Sequence, residues 1–160
     1  METKLLKYKR IIIVDDEPDI LDTLESLLPM CDVVKASDFE GARKLLETEY
    51  FDVAVLDIMG VDGYSLLEIA HRKQIIAVML TAHALTVEDT VKSFKNGADY
   101  FIPKEKLHEI VSHLIDVFEA RESGKSPWSR WYRRFASFYD RKFGPGWVKI
   151  DEEFRIKAGP

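Results

Sequence analysis

The chain has 160 residues, 46% of them hydrophobic and 32% charged. That is enough apolar material for one core of ordinary size and too much for general disorder. The formal net charge of −5 is unevenly spread: residues 1–120 hold 13 Lys and Arg against 23 Asp and Glu, and residues 121–160 hold 10 against 5. The reversal marks a boundary near residue 121. A single cysteine, Cys31, excludes an intrachain disulfide and suits a reducing compartment. The apolar run near the start stops at Asp15, so it does not form the apolar core of a signal peptide, and no window is long and uncharged enough for a membrane helix. A soluble cytoplasmic protein is expected.

The run Ile11–Val14 is β-branched, apolar on both faces and too short for a helix, so it reads as a strand. Pro18 follows at a favourable first helical position, with Asp16 or Glu17 near the cap. Ile20, Leu21, Leu24, Leu27 and Leu28 recur at helical spacing until Pro29. Asp32–Ala36 is a second strand, and Ser37 or Asp38 can cap a helix bearing Phe39, Ala42, Leu45 and Leu46 on one face. The unit then repeats. Val53–Leu56 is a strand, and a helix begins at Tyr64 with Leu66, Leu67 and Ala70 apolar. Ile75–Leu80 is the fourth strand. Thr86 caps a helix with Val87, Val91 and Phe94, which Asn96 and Gly97 stop. Tyr100–Ile102 is the fifth strand, and Leu107, Ile110, Val111, Leu114, Ile115 and Phe118 mark a last long helix.

Doubly apolar strands alternating with helices imply a parallel sheet covered on both sides, with right-handed crossovers. Ligands of such sheets bind at the carboxyl ends of the strands. Strand 1 ends in Asp15 and Asp16, strand 3 in Asp57, strand 4 in Thr81, and strand 5, after Pro103, in Lys104. One edge thus collects three carboxylates, a hydroxyl and an ammonium. Like charges held together require a cation, and Mg2+ fits a site of few carboxylates and several waters. A carboxylate beside Mg2+, an ammonium and a hydroxyl is equipped for phosphoryl transfer, with the carboxylate as nucleophile.

The segments IIIVDDEPDIL, VAVLDIM, AVMLTAH and GADYFIPKEKL, in that order and on those elements, resemble the receiver domain of two-component response regulators. The resemblance covers about residues 9–121. It implies a flavodoxin-like fold with strand order 2-1-3-4-5. It also implies Asp57 as the acceptor of a phosphoryl group from a histidine kinase, and Asp15, Asp16 and the Met59 carbonyl beside it as Mg2+ contacts. By the same resemblance Thr81 is the switch hydroxyl, Lys104 pairs with the phosphoryl group, Phe101 is the aromatic switch, and His83 and Met59 occupy positions that tune dephosphorylation. Two features depart from the family pattern. The loop DIMGVDG lacks the usual proline and is about two residues shorter, and Pro103 precedes Lys104 where a proline usually follows it. Gly60 and Gly63 can supply the tight turn.

Domain organisation is expected as a receiver over 1–121, a linker over 122–127 and a helical tail over 128–160 that is not an independent domain. In the tail, Trp128, Trp131, Tyr132, Phe135, Phe138 and Tyr139 follow helical spacing, Arg130, Arg133, Arg134 and Arg141 lie largely opposite, and Pro145 stops the helix. Packing back on the receiver, self-association and binding of another protein all fit the aromatic stripe; nucleic-acid binding and membrane-surface docking fit it less well. His71, His108 and His113 read as surface residues. The expected function is a phosphorylation-dependent switch that catalyses only its own phosphoryl transfer and dephosphorylation. Its expected partners are a histidine kinase, a downstream protein, and a second copy through helix 4, strand 5 and helix 5 or through the tail. The rivals are a Mg2+-dependent aspartyl phosphatase of the dehalogenase type, which normally has a second aspartate where Met59 stands, and a receiver-like module that is never phosphorylated.

Overall fold

A computed structural model describes residues 2–82 and 86–159. Its centre is a parallel sheet of five strands, β1 (Arg10–Val14), β2 (Asp32–Ala36), β3 (Val53–Asp57), β4 (Ile76–Thr81) and β5 (Tyr100–Pro103), in the order β2-β1-β3-β4-β5. Every residue of β3, β4 and β5 is buried, as continuous apolar runs covered on both faces require. Val14 pairs with Leu56, Asp57 with Leu80, and Thr81 with Pro103. The carboxyl ends of the four strands that carry the candidate residues are therefore level.

Helices α1 (Pro18–Leu27), α2 (Phe39–Thr48), α3 (Gly63–Arg72) and α4 (Val87–Lys95) make the four crossovers, and α5 (Ile110–Glu122) follows β5. The anticipated caps form: Asp38 accepts from Gly41 N at 2.7 Å, and Thr86 Oγ1 accepts from Asp89 N at 3.0 Å. The last helix is shorter than its apolar pattern suggests, because Lys104–Glu109 is a 3-10 turn that precedes it. Another 3-10 turn, Glu2–Leu6, packs against α5 and buries Leu6. It is too short to leave a periodic signal.

The tail forms α6 (Trp128–Phe143), a 3-10 turn (Trp147–Ile150) and α7 (Glu152–Ala158). Of the readings open for its aromatic stripe, the structure shows packing on α4, β5 and α5. β5 is the edge strand, and an edge exposes backbone groups that need cover. Two indole N–H groups supply part of it: Trp128 donates to Ala98 O at 2.9 Å and Trp131 to Phe101 O at 2.7 Å. On the α4 side Tyr139 and Thr90 share a hydrogen bond of 2.6 Å, Phe94 meets Trp128 and Phe154 edge-on, and Lys95 pairs with Asp151. On the α5 side Arg130 pairs with Glu119 and Arg134 with Asp116. α6 ends before Pro145, where Gly144 takes φ +85°.

His113 departs from its reading as a surface residue. It is buried, stacked on Phe135 with ring centroids 5.2 Å apart and tilted against Tyr100. The helical spacing placed it on α5, but only the docked tail covers it. Burial, with Arg134 nearby, pushes its pKa down to about 4, so the ring is neutral at physiological pH. His71 and His108 are exposed as expected.

Trp131 has no exposed surface. Trp131→Ala is expected to destabilise the chain by about 3–5 kcal/mol in urea unfolding. Trp131→Phe, which keeps a ring but leaves the Phe101 carbonyl without its donor, should cost about 1–3 kcal/mol. Wild-type stability in both variants would mean that the tail is not docked in solution.

Candidate functional site

The groups of the site stand at the carboxyl ends of four strands. Asp15 and Asp16 follow β1, and one carboxylate oxygen from each of Asp15, Asp16 and Asp57 lies within 4.8 Å of the others. Asp15 is fully buried; its Oδ1 accepts from Glu17 N at 2.9 Å, which also fixes the entry to α1. Its Oδ2 stands 2.8 Å from Lys104 Nζ, yet makes no aligned hydrogen bond within the chain. Lys104 Nζ also lies 3.3 Å from Asp57 Oδ1 and 3.8 Å from Glu17 Oε2. Lys104 opens its 3-10 turn directly after an extended Pro103, and no peptide bond among the described residues is cis.

Burial, reinforced by the neighbouring Asp15 charge, pushes the Asp57 pKa up to about 6 even though Lys104 opposes the shift. Burial also works against the Lys104 charge, but its pairing with Asp15 and Asp57 outweighs this and raises the ammonium above its usual value. The cluster thus has one more buried negative charge than the lysine can satisfy, and Asp57 bears the excess.

The shortened loop is accommodated by its two glycines. Gly60 takes φ +77°, and a Cβ there would lie 2.6 Å from Asp16 Oδ2. At Gly63, the first residue of α3, a Cβ would fall 2.1 Å from the Asp57 carbonyl oxygen. The helix therefore begins against the strand end itself, which only a residue without a side chain allows. Between them Asp62 adopts a left-handed conformation, and Val61 N donates to Met59 O at 2.8 Å. That bond occupies one lone pair of the Met59 carbonyl, while the Met59 side chain is exposed.

Thr81 is buried at the end of β4, one residue beyond the partner of Asp57. Phe101 is fully buried in β5, three residues before Lys104, and its carbonyl holds Trp131. The structure thus brings Asp15, Asp16, Asp57 and Lys104 into one cluster with Thr81 at its border, and places Phe101 in the core. His83 lies outside the described residues.

A family profile for the response regulator receiver domain matches residues 11–115. The chain belongs to this family. The receiver is 39% identical over 109 residues to a probable transcriptional regulator ycf27 of Guillardia theta, covering 65% of this chain and 41% of that protein. It is 36% identical over 112 residues to the heme response regulator HssR of Staphylococcus aureus, covering 66% and 50%. The chain spans about half the length of such curated relatives. The crystal structure of a CheY-like receiver domain protein from Methanospirillum hungatei aligns with a TM-score of 0.61 at 33% identity, over 72% of this chain and 99% of that one. The family match ends within α5, so α6 and α7 lie beyond it.

Sequence reasoning missed one residue at this site, Glu17, and one, Lys142, on a neighbouring cavity whose lining includes Lys104 but none of the three aspartates. Glu17 approaches Lys104, and Lys142 of α6 joins Glu17, Ile20, Ala82, Lys104 and Glu105 around a cavity of about 480 Å3. Glu17 was legible only as a helix cap. Lys142 follows Tyr139 by three residues on one helical face, a signal that has meaning only once the docking direction of the helix is known.

Two predictions follow from the geometry. Between about pH 4 and 6 the folded state binds more proton at Asp57 than the unfolded state does, so stability from this group falls as pH rises through that window. Asp57→Asn should therefore stabilise the metal-free chain by roughly 1–3 kcal/mol at pH 7.5 and by little at pH 4, read by urea unfolding in chelator. The second concerns Gly60. Both Gly60 and Gly124 have positive φ, but a Cβ at Gly124 meets nothing within 4 Å. Each change to Ala costs about 1–2 kcal/mol of backbone strain, and Gly60→Ala should cost measurably more because of Asp16. Equal losses would show that the loop yields.

Proposed function

We propose that this receiver is a phosphorylation-dependent switch in which Asp57 accepts a phosphoryl group from a sensor histidine kinase. The observation that carries the reading is the buried cluster itself: an acceptor carboxylate next to one ammonium and two further carboxylates that together leave negative charge unbalanced. An Asp57 oxygen attacks phosphorus, the phosphorus–nitrogen bond of the phosphohistidine breaks, the imidazole nitrogen keeps the electron pair, and an acyl phosphate forms on Asp57.

Asp15, Asp16 and Asp57, with the Met59 carbonyl, would hold Mg2+. The donor set is all oxygen, as that ion requires, and one carboxylate oxygen of each acid lies within 4.8 Å of the others. When bound, Mg2+ neutralises charge on the phosphoryl oxygens. Lys104 pairs with those oxygens from the other side. The new charge of about −2 draws the Thr81 hydroxyl inward, and Phe101 follows as the aromatic switch. Met59 stands where the family tunes the loss of the phosphoryl group. Output passes by protein–protein contact to a downstream target, with the tail taking part, in the cytoplasm. No helix of the described residues is long and apolar enough to cross a membrane. A homodimer through α4, β5 and α5 requires the tail to leave that face. The phosphatase alternative lacks support, since position 59 offers no carboxylate.

The test is incubation with acetyl phosphate and Mg2+, followed by intact mass. One Mg2+-dependent phosphoryl adduct is expected on the wild type and none on Asp57→Asn. An adduct that survives in Asp57→Asn, or no adduct on either, overturns the reading.

A further inference from the structure

The tail helix has a direction. Trp128 is anchored to Ala98, just before β5, Trp131 to Phe101 within it, and Phe138 lies 5.4 Å from the Lys106 ammonium, just after it. α6 therefore runs alongside β5 from the amino to the carboxyl end. Its buried stripe, Trp128, Trp131, Phe135 and Tyr139, advances by three or four residues at a time. One further step of the same kind reaches Lys142. The helix rises about 1.5 Å per residue, so Lys142 lies roughly 21 Å along from Trp128, while the four residues of β5 span about 13 Å. The stripe thus overshoots the edge strand and ends in a cation at the edge where the acceptor lies.

The cavity there is lined by Glu17 and Ile20 from the start of α1, Ala82 after β4, Lys104 and Glu105 after β5, and Lys142. Lys104 stands at the floor of the site, largely buried, with Asp15 at 2.8 Å and Asp57 at 3.3 Å, where it meets the phosphoryl group only once the donor has entered. Lys142 is exposed and makes no ion pair among the described residues. Glu17 and Glu105 at the same rim repel an incoming phosphate dianion. Lys142 is the free cation that offsets them.

Resting on the reading of Asp57 as acceptor, we infer that Lys142 of the tail is a phosphodonor-binding residue of this receiver. It attracts and holds the non-bridging oxygens of the donor phosphoryl group at the mouth of the site. The tail is then a wall of the cavity that adjoins Lys104 as well as a cover for the sheet edge. Lys142 neither makes nor breaks a bond; it acts on donor capture, so its effect falls on kcat/KM and weakens with salt.

The experiment uses the full chain with Mg2+ and phosphoramidate, a small anionic donor, and follows adduct formation on Asp57 by mass at low and high ionic strength. Lys142→Ala should lower kcat/KM about threefold or more at low salt and Lys142→Glu further, with the difference closing at high salt as screening sets in. Lys142→Arg should restore the wild-type rate. Mg2+ affinity by calorimetry should not fall in any of the three, since loss of a cation can only favour a divalent ion, and the unfolding midpoint should not change. Wild-type kcat/KM in the Ala and Glu variants at low salt overturns the inference while leaving Asp57 as acceptor, and so does a loss that salt does not close. A wild type that takes up no phosphoryl group on Asp57 removes both.

Discussion

Everything at the carboxyl edge of the sheet depends on one ammonium placed among three carboxylates. Parallel strands with level ends force Asp15 and Asp57 together, and burial removes the water that would screen them. Lys104 meets both, but one positive charge cannot balance the set, and the residual strain collects on Asp57, whose pKa is lifted to about 6. A site at rest in this condition gains from any hard cation and from any anion that arrives with one. The surroundings serve that cluster. Pro103 aims the lysine, Glu17 N fixes Asp15, and the two glycines bring the β3–α3 loop hard against the acids.

The edge strand sets the second constraint. β5 would otherwise leave one side of the sheet to solvent, and α6 closes it with indole donors placed on backbone carbonyls. This covers the face made of α4, β5 and α5 with the chain's own residues. It also ties the tail to three parts of the fold: α4 through Thr90, β5 through Phe101, and the turn that Lys104 opens through Lys106. A change at the site that moves any of these moves the support of the tail.

Much of this was legible in the sequence. Strand positions followed from short β-branched runs, and the site followed from the rule that strand ends meet, because Asp15, Asp16, Asp57, Thr81 and Lys104 each stand at such an end. The resemblance supplied the strand order. What could not be read was what depends on a partner surface. The stripe of α6 showed an apolar face but not its target, so His113 looked exposed until the tail was in place, and Lys142 looked like any solvated lysine. The glycine pair was legible as a tight turn. That Gly63 begins a helix in contact with the Asp57 backbone was not, since a contact of that kind belongs to three-dimensional register rather than to residue type.

The placement of the indoles has a practical side. All three tryptophans of the chain, Trp128, Trp131 and Trp147, lie in the tail, and none lies in the sheet or its crossovers. They are buried and packed, tilted or edge-on, against one another and against Tyr139, Phe135 and Phe154. Tryptophan emission, excited at the red edge where tyrosine and phenylalanine do not absorb, therefore reports on the appended helices. The molecule carries an intrinsic optical probe positioned on the segment that covers its edge strand, without any label being added.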